Sequence, residues 1–121
     1  MKKSSVKKVL GLGLGATLLA CSALSHAENF QLHEVTVKQV LQWSDGHIFV
    51  SFNKQLPETS CSSRSRVGFH RDDPNAEFFK AQALTALATG KPTYIRANTN
   101  TDGSCPVHSN SMKLNAMAVG Y

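Results

Sequence analysis

Trp43, Asp45 and His47 bracket the tripeptide Ser44-Asp45-Gly46, a turn signal that puts an aromatic ring, a carboxylate and an imidazole on one short arc. That combination suits a sugar: the ring packs against C–H faces while the carboxylate accepts hydrogen bonds from hydroxyls. The pattern of the preceding residues favours a different role for Trp43, as a core side chain at the end of its strand. A second polar stretch, residues 98–109 (NTNTDGSCPVHS), contributes Asn100, Asp102 and His108 as further ligand-binding candidates.

Other residues able to do chemistry lack the partners it needs. His70-Arg71-Asp72 spells the start of a kinase catalytic loop, but the asparagine required five residues after the aspartate is Glu77 here, and the chain has no glycine-rich phosphate loop. Arg71, Asp72 and Asp73 read instead as surface ion pairing and helix capping. Cys105-Pro-Val-His108 has the spacing of a metal pair or of a thiol with its base. Zinc needs about four ligands and a nucleophile needs a free thiol, and Cys61, the other cysteine nearby, stands alone in a serine-rich loop. His33, His47, His70 and His108 fall on separate elements. No catalytic residue, metal or cofactor is expected.

The elements that must position these side chains are short. Residues 35–43 alternate enough to form a strand with Val35, Val37, Leu41 and Trp43 on one face, and residues 47–52 return as the second arm of a hairpin. Residues 64–69 supply a third strand, with Val67 and Phe69 sharing a face. Asp73 and Pro74 mark a helix start, and Gly90-Lys91-Pro92 marks its end. Between them Ala76, Phe79, Ala83, Ala86 and Leu87 form one apolar stripe, with Leu84 at its margin. Residues 93–97 and 110–119 read as strands four and five, the last with Met112, Leu114, Ala116 and Ala118 on one face.

The predicted order is therefore β-β-β-α-β-β: mainly β with one helix, in the order of an OB-fold-like five-stranded antiparallel barrel whose helix plugs one end. Phe79, Ala83 and Leu87 would close that end. Phe78 lies about 100° away on the helical wheel, among Glu77, Gln82, Thr85 and Thr89, so the stripe does not claim it. It is either covered by a neighbouring loop or left as a subunit contact.

The stretch AQALTALATGKPTYIRA, followed by SMKLNAMAVGY, resembles the helix, fourth strand and last strand of the subtilase cytotoxin B subunit family. The shared pattern is Gln82-Ala83-Leu84, Thr89-Gly90-Lys91-Pro92 with Ile95, and Asn115-Ala116-Met117 with Gly120, with a looser match over residues 35–52. The resemblance implies a secreted OB-fold domain, assembly into a homopentameric ring whose helix lines the centre, binding of sialylated glycans, and service to an A subunit. It gives Phe78 a place in the ring. The family's cysteine arrangement differs, and where its sugar-contacting serine precedes the first strand this chain has His33. Fold and ring assembly therefore carry over ahead of sialic acid recognition.

The chain opens with four lysines among its first eight residues, an apolar run to about Leu24, and Ser25-His26-Ala27 before Glu28. This is the pattern of a signal peptide over residues 1–27, leaving a single domain at residues 28–121 and a periplasmic or secreted location. Leu18-Leu19-Ala20-Cys21 also resembles a lipoprotein processing site, with the leucine two before the cysteine against it. Loss of Lys2, Lys3, Lys7 and Lys8 takes the 13 basic residues to 9 against 8 acidic ones, so the net charge falls from +5 to about +1. With few aromatics and no basic run, neither phosphate attraction nor base stacking is provided for, and nucleic acid is not an expected partner. No membrane-spanning segment is expected after cleavage.

Cys61 and Cys105 are the cysteines remaining after residue 27, and export favours their pairing. The closed loop of about 45 residues is worth about 4 kcal/mol in the chain-entropy picture. These observations predict an exported non-enzymatic binding protein of glycans. The alternative is a structural or inhibitory periplasmic domain that meets a protein partner and has no sugar site.

Overall fold

Strand formation begins earlier in the chain than the sequence suggests. The computed structural model describes residues 26–120, and these form β1 (Asn29–Val35), β2 (Val37–Gln42), β3 (His47–Phe52), β4 (Arg66–His70), helix α1 (Ala76–Thr89), β5 (Thr93–Asn98) and β6 (Met112–Val119). The leader expected over residues 1–27 lies outside the described residues apart from His26 and Ala27, as does Cys21. No helix among the described residues is long and apolar enough to cross a membrane.

The sequence predicts five antiparallel strands closed into a barrel; the chain instead forms one six-stranded sheet, not closed into a barrel, in the order β1-β5-β6-β4-β3-β2. One pairing, β4 with β6, is parallel. The extra strand arises because the predicted first strand is part of a longer extended run that breaks at Thr36. Glu34 sits in the left-handed region at φ 57°. The register slips between Leu32 and Val35 against β5, and again between Val37 and Gln39 against β3. Such bulges bend a strand and let its halves take different partners. Asn53 secures the bend, its Oδ1 accepting the Thr36 amide at 2.9 Å.

The second slip also turns over the side-chain alternation, since one extra residue moves the following side chains to the opposite face. Val35 and Val37 are buried as expected, but Leu41 points outward and Trp43 is 48% exposed, so the core role for Trp43 is overturned. A slip between Arg96 and Ala97 acts likewise on β6. Met117 joins Met112 and Leu114 in the core, while Ala116 and Ala118 are only half-buried.

Helix α1 lies against this core through Ala76, Phe79, Ala83 and Ala86, with the Phe79 ring 5.5 Å from that of Phe69. Gly90 ends it at φ 68°, its amide donating to the Ala86 carbonyl as a left-handed cap does. At the other end the start falls two residues later than Pro74: Asp73 accepts the Asn75 amide at 2.8 Å through Oδ1 and the Ala76 amide at 2.9 Å through its carbonyl. Leu87 is 42% exposed and leaves the predicted stripe, and Leu84 and Phe78 are exposed as well.

A smaller apolar cluster lies on the other face of β4. Phe49 and Val107 are both buried there, above Gly68. A Cβ on Gly68 would stand 2.8 Å from Val107 Cγ1 and 2.9 Å from Phe49 Cε1, so glycine is what lets the loop before β6 settle onto the strand. Cys61 and Cys105, at disulfide distance with Cα atoms 5.5 Å apart, tie the same loop to the segment before β4.

Candidate functional site

The site is built from two loops. The first is the β2–β3 turn: the Gly46 amide donates to the Trp43 carbonyl at 3.0 Å, and the Trp43 amide to the His47 carbonyl at 2.8 Å. Gly46 at φ 95° gives the left-handed residue that a three-residue hairpin loop requires. Asp45 Oδ1 accepts the His47 amide at 2.9 Å, which fixes the carboxylate at the tip. β3 pairs with β4 so that His47 faces His70. The Asp72 amide donates to His70 Nδ1 at 3.1 Å, so Nε2 carries the proton and donates to the Asp45 carbonyl at 3.0 Å.

The second loop delivers His108. Val107 and Ser111 bridge, and the Asn110 amide returns to the Val107 carbonyl at 3.2 Å. His108 and Ser109 occupy the turn at φ 50° and 58°. Left-handed backbone at non-glycine residues costs roughly 1 kcal/mol each, and such strain gathers at functional sites. It aims the imidazole at the hairpin: His108 Nε2 is 2.9 Å from Asp45 Oδ2 and 3.2 Å from His47 Nδ1, and His47 Nδ1 is 3.1 Å from the same carboxylate oxygen.

Aromatic groups surround this triad. The His108 ring meets those of His47 at 4.5 Å, Phe49 at 5.1 Å and Trp43 at 5.8 Å. Beneath, the Arg66 guanidinium lies 3.8 Å from the centre of the Phe49 ring and is held by Ser111 Oγ, which accepts from Nε at 3.2 Å. The Asp45 carboxyl is held well below the usual carboxylate range. The His47 amide is the main cause; loss of water opposes it, and the His108 and His47 side chains add to the lowering.

Four of the six ligand-binding candidates thus come together: Trp43, Asp45, His47 and His108. Asn100 lines an adjacent cleft of about 410 Å³ that His47, His70, Asp73 and Lys113 also border. Asp102 does not reach this cleft. Its Oδ1 accepts the Ser104 amide at 2.9 Å and hydroxyl at 2.6 Å, shaping its own loop, and it borders a neighbouring hollow. Phe78 lies apart on α1, 56% exposed.

Sequence reasoning missed His70, Phe49 and Arg66. The signal for His70 is the strand register: with the hairpin turn at Ser44 to Gly46, an antiparallel third strand ending at His70 places it opposite His47. His108, a candidate already on its own loop, reaches the hairpin because that loop lies over Gly68 of β4, a path no local pattern prescribes. Among the described residues, Asp45, His47 and His108 make a three-member donor group whose ligand atoms all lie within 4.8 Å of one another. The Cys105 partner considered for His108 is instead at disulfide distance from Cys61. No protein-family model matches the chain, and no curated protein matches it.

Proposed function

We propose that this chain is an exported, non-enzymatic binding domain of OB-like design that takes glycans at the corner formed by Trp43, Asp45, His47 and His108. The observation that carries the reading is the exposed Trp43 ring set beside a charged carboxylate and two imidazoles from separate loops. A pyranose stacks on the indole while its hydroxyls donate to Asp45 and exchange hydrogen bonds with the histidines.

The strand order supports the OB-like part. Taken as two halves of one bent strand, β1 and β2 border β5 and β3 respectively, with the last strand parallel to β4. In such folds the first hairpin turn and the loop between the last two strands bind oligosaccharides, and these are the two loops that meet here. The likeness of residues 81–97 and 111–121 to toxin B subunits adds sialylated glycans as the first class to try, a homopentamer as the assembly and an A subunit as a partner. A glycan array together with cell-surface binding tests the reading. Binding that the Trp43→Ala variant loses supports it, and blank results in both assays end it.

A second reading is favoured by α1, where Phe78 on one flank and Leu84 and Leu87 on the other are exposed. There the domain meets a protein partner without a sugar site, and a partner recovered from periplasmic extract by the wild type but not by Phe78→Ala would select it.

A further inference from the structure

Asp45 Oδ2, His47 Nδ1 and His108 Nε2 form a nearly equilateral triangle with edges of 2.9, 3.1 and 3.2 Å. Ligand atoms about 2.1 Å from a common ion stand roughly 3.0 to 3.4 Å apart at octahedral or tetrahedral angles. The spacing of three side chains from two loops therefore matches one face of a coordination polyhedron. We propose that these three atoms hold a divalent first-row transition ion, with Zn2+ as the natural probe.

The donor set selects the class of ion. Two imidazole nitrogens and a carboxylate oxygen suit zinc, copper or nickel, whereas calcium and magnesium take oxygen ligands. Two of the three ligands are already oriented by groups outside the triangle's three atoms. The His47 amide holds the second oxygen of Asp45, and His70 holds the Asp45 carbonyl through Nε2. The left-handed turn at His108 and Ser109 holds the third ring against Phe49. Outer-shell hydrogen bonds such as those on Asp45 are worth on the order of 10- to 100-fold in metal affinity. The ligand side chains stay partly exposed, so an ion held by three of them keeps one or more positions open to water or a ligand.

This inference stands apart from the glycan reading, because its test contains no sugar. Calorimetric titration of the purified, oxidised protein with Zn2+ is expected to give one ion per chain. His108→Asn, which tolerates the left-handed backbone, and His47→Gln each weaken binding by on the order of 100-fold, and Asp45→Asn by about 10-fold. His33→Gln, beside Tyr94 and remote in the sheet, leaves binding unchanged. Absence of saturable uptake overturns the proposal, as does uptake that the His47 and His108 variants leave intact or that His33→Gln abolishes. Should the variants not fold, Ni2+ added to wild-type protein decides: broadening of the Trp43 indole and of the His47 and His108 ring signals supports the site. Broadening centred on His33 or His26 contradicts it.

Discussion

Asp73 illustrates how single side chains set the geometry around the cleft. Its carboxylate is largely covered, accepts the Asn75 amide before α1, and pairs with Lys113 on β6 at 3.1 Å. Burial alone pushes its pKa up, but the Asn75 amide and the Lys113 ammonium outweigh burial and bring it below the usual value. A carboxyl lowered on folding contributes stability above its unfolded pKa, about 3.9, and loses it as pH falls through the folded value. Asp73→Asn keeps an oxygen for the Asn75 amide and removes the charge. Because Lys113 is half-exposed, the expected cost at pH 7 is only about 0.5 to 1 kcal/mol. Urea denaturation of the two proteins should give this difference at pH 7 and a smaller one at pH 3. A constant difference across that range would show that the charge is not its source.

At the level of elements, the decisive contact is the seat of the 105–111 loop on β4. Gly68 leaves room for Val107 and Phe49, and that seat carries His108 to the hairpin. Gly68→Ala puts a methyl within 3 Å of both side chains, and overpacking of this kind costs about 1 to 3 kcal/mol. The variant is expected to lower the urea midpoint and to lose the His108–Phe49 ring contact in NMR spectra, while the α1 contact between Phe69 and Phe79 persists. Retention of the His108 contact would contradict the seat. The same elements mark what the sequence made legible. Helix α1, its Gly90 stop and the hairpin turn follow from local chemistry, and the closeness of Cys61 and Cys105 from the cysteine count and the expected export. The break at Thr36 and the slips near Gln39 and Arg96 do not, because bulges answer to partner strands rather than to local pattern. Trp43 was therefore assigned to the core and lies outside it, while Leu87, on α1, falls at the edge of the helix's buried stripe and is exposed.

On the scale of the whole molecule, strand order makes the corner. β4 lies between β3 and β6: the turn before β3 stands at the His70 end of β4, while β6 starts beside Val67 at the other end, so the loop before β6 runs over Gly68 to bring His108 to the hairpin. The Cys61–Cys105 pair, closing a separation of 44 residues, keeps the second loop in place. The proposed ring would use the exposed Phe78 of α1, and light scattering after size exclusion tests this: five protomer masses support a ring, and a monomer removes the ring while leaving the binding corner. The corner itself is tested most directly by titrating the oxidised protein with a sialylated trisaccharide while following the indole N–H of Trp43, the one tryptophan in the chain. A saturable shift of that signal together with the His108 ring is expected, with Phe78 unmoved. Glycan binding that shifts other residues and leaves Trp43 and His108 in place would contradict it.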